Sequence, residues 1–343
     1  MTNDLTSRLE RLRQWDEARP GLPGERWLAF GLGLFLVTRR PRHPLARAGS
    51  VLAGTALLAR ALSGRDGPIA ALVGSNESLS SPGTDALDDF TTFSFTHLDR
   101  ERTVYRKGNG PAVLVMHEVP GITVEVAHFA RRVVDAGFTV FMPHLFGPVG
   151  VRTSPFNRIP ELVKVCISRE FRVLAENRSS PVADWLRGLA RHIHEEMGGR
   201  GIGAVGMCVT GNFALTLTLD PWVLAPVMGH PSFPLPITPA KAAAVHVTPE
   251  TFANARRRSA EDGLKVLGVR FHGDTLFCRA PRFETLRREL GDAFEGIELP
   301  ARSAKRQPEP PHSVLTIGLV DRAGEPTHEA VERILAFLSE RLR

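Results

Sequence analysis

From residue 93 onward, short continuous apolar runs alternate with longer stretches whose apolar positions recur every three or four residues. Ala112–Met116 and Phe138–Met142 are apolar throughout, the pattern of strands buried on both faces. Phe93–Leu98, Arg102–Tyr105, Ile202–Val205, Trp222–Met228 and Lys265–His272 read as further strands, and Val314–Val320 as a last strand-like run. Helical spacing predicts Val124–Ala136, closed by Gly137, then Pro181–Glu196, Asn212–Leu219, Arg282–Leu290 and Thr327–Leu342. Strands alternating with helices define an α/β architecture, a mostly parallel sheet covered by helices on both faces. In such sheets chemistry gathers at the carboxyl ends of the strands.

The first 92 residues break this rhythm. Leu5, Leu9 and Leu12 place a short amphipathic helix over residues 3–18, ended by Pro20 and Pro23. Trp27–Thr38 and Ala48–Ala59 are uncharged runs of 12 residues each, separated by the basic turn Arg39-Arg40-Pro41-Arg42-His43-Pro44. Glycines and alanines in both would let two helices pack closely as a hairpin. Each run is short of the roughly 20 residues needed to cross a bilayer. Snorkelling arginines (Arg26, Arg39, Arg47, Arg60) extend both, so two placements stay open: a membrane-associated hairpin over residues 27–63, or a soluble hairpin packed on the main domain. Residues 64–92 are rich in Ser, Gly, Asp and Pro and read as a flexible linker. The expected organisation is a helical extension (1–63), a linker (64–92) and a catalytic-size domain (93–343).

Charge sharpens that division. The net charge is +6, but residues 1–66 carry 11 Arg against 6 acidic residues, and the remainder is nearly balanced at +1. A balanced main domain argues against nucleic acid as a partner. Three scattered cysteines, Cys166, Cys208 and Cys278, make neither a disulfide framework nor a zinc site and suit a reducing compartment. His192 and His194, two apart on a helix, face different ways and form no metal site. No cofactor is implied. The expected location is the cytoplasm, with membrane association if the hairpin inserts.

The candidate chemistry centres on Gly206-Met207-Cys208-Val209-Thr210-Gly211, between the strand Ile202–Val205 and an apolar helix. A strand turning sharply into a helix needs small flanking residues, and Gly206 and Gly211 stand almost at the spacing of a G-x-S-x-G elbow. Cysteine occupies the place of the serine, beside helix N–H groups that favour a thiolate. A small buried cysteine in a Gly-rich turn would look the same in isolation. Three further stretches weigh on the choice. Glu118, in His117-Glu118-Val119-Pro120-Gly121, ends the strand Ala112–Met116, and the N–H groups of Val119 and Val209 could form an oxyanion hole. Asp274 follows the strand Lys265–His272, where an orienting acid belongs in the order nucleophile, acid, histidine. Glu118 as a solvated carboxylate and Asp274 as a plain Gly-Asp turn are the bland readings. Of the two later histidines, His312 sits in a Pro-bounded loop that can reach a cleft, whereas His328 lies near a helix start and is better placed for the surface.

Taken together, His117–Gly121, Gly206–Gly211, Leu145-Phe146-Gly147 and the spacing from Asp274 to His312 resemble the dienelactone hydrolase family of α/β-hydrolases. The resemblance implies an α/β-hydrolase domain over about residues 95–343, with Cys208 as nucleophile and Asp274 and His312 completing a triad. It also implies that Glu118 contacts the resting cysteine and helps generate the thiolate. His144 departs from the family's usual acidic residue. Arg169 is the candidate for holding a substrate carboxylate, and no arginine closely follows His312, which disfavours dienelactone itself. The function expected is hydrolysis of carboxylic esters, lactones or thioesters through an acyl-enzyme. Acyl transfer and a non-catalytic binding module on the same fold are the rival readings.

Overall fold

The computed structural model describes residues 86–154, 157–158, 161–162, 180–232, 238–305 and 311–343, with Leu32, Leu36, Ser50 and Gly54 as isolated helical positions. The chain divides into two units, Met1–Ser81 and Pro82–Arg343. Those four positions apart, the expected hairpin over residues 27–63 lies outside the described residues, as do the expected helix over 3–18, most of the linker and Arg169. Among the described residues no helix is long and apolar enough to cross a membrane.

The second unit is built on one eight-stranded sheet, order β1-β2-β4-β3-β5-β6-β7-β8. The strands are β1 (Thr91–His97), β2 (Arg100–Lys107), β3 (Ala112–Met116), β4 (Thr139–Pro143), β5 (Ile202–Met207), β6 (Val223–Gly229), β7 (Val266–Phe271) and β8 (Phe294–Leu299). β1 and β2 pair antiparallel, as do β2 and β4; every pair from β4 to β8 is parallel. Leu98 and Asp99 join β1 to β2 with φ of 50° and 56°, the left-handed pair that a two-residue hairpin turn requires.

The helices are α1 (Val124–Asp135), α2 (Pro181–Met197), α3 (Gly211–Thr216), α4 (Pro239–Ala243), α5 (Pro249–Asp262), α6 (Ala280–Leu290) and α7 (Pro326–Leu342). Alternate residues of each central strand feed opposite cores. Val113, Val115, Val205 and Met207 pack with α1 and α7. Ala112, Leu114, Met116 and Ala204 pack with α2, α3 and α6. That period of two explains why these strands read as unbroken apolar runs.

Three expectations change. Residues 86–92, assigned to the linker on composition, belong to the folded domain: Leu87 and Phe90 are buried, and Asp89 pairs with Arg131 (2.7 Å) and Lys107 (2.8 Å). Val314–Val320 is not a strand. Its turns close on Ser313 O, which accepts from Gly318 N (2.9 Å), and the apolar run reflects burial of Val314 and Leu315 rather than pairing. The outer sheet position belongs instead to β8, whose Phe-Glu-Gly-Ile-Glu-Leu sequence hides as a strand. Its glutamates meet arginines, Glu295 with Arg333 (2.6 Å) and Glu298 with Arg270 and Arg287, charges suited to an edge. α5 was also unforeseen, because only Thr251, Ala255 and Arg258 of its 14 residues are buried.

Candidate active site

β5 ends at Met207, and the chain enters a 3-10 turn, Cys208–Thr210, that runs straight into α3. Cys208 itself has φ 54°. A non-glycine residue held there costs about 1–3 kcal/mol, which the surrounding packing must offset. Both flanking glycines are needed. A β-carbon on Gly206 would lie 2.2 Å from Thr210 O, and one on Gly211 2.8 Å from Pro231 Cα. Thr210 locks the turn: its Oγ1 accepts from Met207 N (2.9 Å) and lies 2.9 Å from Met116 O at the end of β3. The elbow is therefore tied to the strand that carries Glu118.

Asp274 and His312 come together as the chain order suggested. Asp274 Oδ2 is 2.5 Å from His312 Nδ1, and both residues are buried. The carboxylate is fixed by Phe277 N (2.9 Å) and Cys278 N (3.0 Å), so its lone pairs face inward. Burial works against its charge, but His312 and those two N–H groups outweigh it and hold the carboxyl down at about 2. Burial likewise disfavours the His312 imidazolium; the charges of Asp274 and Cys208 outweigh it and raise His312 to about 10. His312 Nε2 has no hydrogen-bond partner among the described residues. A ring nitrogen of His312, Cys208 Sγ and a Glu118 oxygen all lie within 4.8 Å of one another.

Glu118 is buried, but it is not the hydrogen-bond partner of the sulfur. Cys208 Sγ lies 3.0 Å from Ser232 Oγ, and Ser232 N donates to Cys208 O (2.9 Å). Glu118 Oε2 accepts from Ser313 Oγ (2.7 Å) and His230 Nε2 (3.1 Å), and Oε1 from Thr316 Oγ1. Burial raises this carboxyl, yet His230 and Thr316 overcome it and bring Glu118 down to about 2. A carboxylate so supplied with donors is a poor acceptor for a thiol proton. Its charge, fixed near the sulfur, opposes a second negative charge there. Glu118→Gln should accordingly speed alkylation of Cys208 by iodoacetamide at neutral pH several-fold, about 1 kcal/mol of relieved repulsion. A slower reaction would show that Glu118 takes the thiol proton.

Sequence reasoning missed Ser232, Ser313 and Thr316; for His230, in the loop after Trp222–Met228, it leaves two readings, a cleft-lining residue or a satisfied loop histidine. His230 is wholly buried at φ 39°, edge-on to His312 with ring centroids 4.7 Å apart. The only signal in the sequence was its place just after β6, at the same sheet edge. His328 lies away from the cluster, 2.8 Å from Asp321, as expected of a surface histidine. His117, next to Glu118, is structural: Leu145 N donates to its Nε2 (3.0 Å), and burial brings its pKa down to about 3. Val119 joins Cys208 and His312 in a cavity of about 110 Å3, lined also by Arg158, Leu162, Leu276 and Phe277. Val209, the residue after the nucleophile candidate, is buried beside it.

A parallel sheet with a cysteine-bearing elbow after β5 and a carboxylate–histidine pair after later strands defines the domain as an α/β-hydrolase fold. The model of the dienelactone hydrolase family matches residues 102–252, from β2 into α5, and this part of the chain is dienelactone hydrolase-like. Among solved structures, a Klebsiella pneumoniae protein described as a dienelactone hydrolase is 18% identical, with a TM-score of 0.50. The match covers 73% of this chain and 98% of that one. A cold-adapted esterase from an Arctic intertidal metagenomic library is 14% identical at a TM-score of 0.45, covering 74% and 93%. At 18% identity the likeness to the Klebsiella pneumoniae protein is one of fold. No curated protein matches the sequence.

Proposed function

We propose that the domain is a cysteine-dependent hydrolase of carboxylic esters, lactones or thioesters that works through an acyl-enzyme on Cys208. The observation that carries this reading is the pairing of a strained cysteine, φ 54° at the end of β5, with a buried His312 oriented by Asp274. The dienelactone hydrolase match supports the hydrolase class. An imidazolium beside a thiol is the arrangement that yields a thiolate nucleophile, so acylation needs no further base.

In this mechanism the Cys208 thiolate attacks the carbonyl carbon, and the N–H groups of Val209 and Val119 receive the oxyanion. Collapse breaks the bond to the leaving group, which takes its proton from His312 Nε2. The neutral imidazole then removes a proton from water, the hydroxide attacks the thioester, and the acid product leaves with the thiolate restored. A histidine held above its usual value suits the first, acidic role. Asp274 suits the second, because it keeps Nδ1 protonated and Nε2 available. The apolar lining of Leu162, Leu276 and Phe277 suits a small acyl or alkyl group, and Arg158 supplies one cation at the wall. Arg169 stays a candidate for recognising a substrate carboxylate.

Incubation with p-nitrophenyl acetate followed by mass spectrometry tests the reading. One acetyl group on the peptide carrying Cys208, with release of p-nitrophenol, is the expected result. No adduct and no release would favour a non-catalytic binding module. Product formed on an added thiol or alcohol acceptor, in preference to water, would favour acyl transfer.

A further inference from the structure

We propose that Cys208, His312 and Glu118 together form a binding site for a divalent ion of the zinc type, and that its occupation removes Cys208 from reaction. The inference uses residues of the hydrolase reading but not their chemistry, so the two can fail separately. Among the described residues, these three offer a thiol, an imidazole and a carboxylate whose donor atoms lie within 4.8 Å of one another. Tetrahedral zinc, with bonds of about 2.0–2.3 Å, sets its ligand atoms roughly 3.5 Å apart. Adjustments of about 1 Å in side chains would close the triangle.

Each donor has the surroundings that a metal ligand needs. His312 is 3% exposed; Asp274 holds its Nδ1, leaving Nε2 without a partner among the described residues. A carboxylate on the far nitrogen is the usual support of a metal-bound histidine, fixing its tautomer and ring orientation. Among the described residues Glu118 Oε1 accepts from Thr316 alone, while Oε2 takes both Ser313 and His230, so Oε1 keeps a lone pair for an ion. The metal takes the sulfur as thiolate and Nε2 without its proton, so the proton that Cys208 and His312 share is released to solvent as the two bonds form. The three residues stand on separate segments, after β3, after β5 and before α7, locked by the sheet and by the elbow. The cavity at Val119, Leu276 and Phe277 leaves a side open for water as a fourth ligand. A set of sulfur, nitrogen and oxygen donors selects zinc or cadmium over magnesium or calcium.

Titration of the full chain with cadmium, followed by the ultraviolet thiolate-to-metal charge-transfer band, tests the site directly. A band saturating at one ion per chain, displaced by zinc and untouched by magnesium, is the expected result. Cys208→Ala should lose the band although Cys166 and Cys278 remain, and wild-type protein alkylated at Cys208 should lose it too. Asp274→Asn touches no metal, yet it should weaken binding about 10- to 100-fold through its hold on His312. Absence of the band in wild type, or its persistence after Cys208 is replaced or alkylated, would overturn the proposal. A band without any acyl adduct would uphold the metal site and remove the hydrolase reading; an adduct without a band would do the reverse.

Discussion

Cys208→Ala should lower kcat/KM for an activated ester by at least about 10^4-fold, leaving only the rate that binding and oxyanion stabilisation provide. The substitution deletes a single atom, Sγ, which lies 3.0 Å from Ser232 Oγ. The strained backbone at φ 54° is kept, since alanine meets the same left-handed penalty as cysteine. The variant should therefore unfold within about 1 kcal/mol of wild type, a difference that urea denaturation resolves. Full turnover in a folded Cys208→Ala protein would exclude the acyl-enzyme. Cys278 could not stand in for the missing thiol, because burial pushes its thiol far above the usual range and holds it in the unreactive protonated form, and its backbone N–H is committed to Asp274.

The second large effect is expected at Asp274. In Asp274→Asn, an amide NH2 must face either the Cys278 and His312 donors or the Phe277 donor, so at least one N–H group loses its acceptor. The imidazole is no longer held with Nδ1 protonated, and kcat should fall by about 10^4-fold with little change in KM. Burial, which already disfavours the imidazolium, then acts unopposed by this charge, so His312 titrates at a lower pH. The pH–rate profile for alkylation of Cys208 should shift with it.

The same pair makes a pH-dependent contribution to folding. Asp274 is depressed to about 2 from its ordinary 3.8, so its stabilisation is present above that ordinary value and lost as pH falls through about 2. His312 is raised from 6.5 to about 10, so its stabilisation is complete below 6.5 and lost as pH rises through about 10. The deficit of Asp274→Asn against wild type should be greatest from about pH 4 to 6.5 and narrow towards both extremes. Denaturant midpoints measured at pH 5.5 and pH 10 check this. An equal deficit at both would mean that the pair does not carry the charges assigned to it.

Much of this site was legible in the sequence, because the signals are local. Gly206 and Gly211 announce the elbow through a steric need confined to six residues. Uniform apolar runs announce β3, β4 and β5 because strands covered on both faces have nowhere to place a polar side chain. Chain order then singled out Asp274 and His312. β8 and α5 were not legible, since an edge strand and a surface helix take their places from partners distant in sequence, such as Arg333 for Glu295. Val314–Val320 misled for the converse reason: an apolar run reports burial, and burial is shared by strands and packed turns.

What the sequence determined by itself is the setting of Cys208, since strand, glycines and cysteine follow one another along the chain. What only the tertiary structure decided is the company that Cys208 keeps. Ser232 reaches its sulfur from the end of β6, and Glu118 is drawn away by Ser313, Thr316 and His230. None of those partners is near Cys208 or Glu118 in sequence. A buried carboxylate must be satisfied by whichever donors the folded sheet edge brings within about 3 Å, and no local pattern encodes that choice.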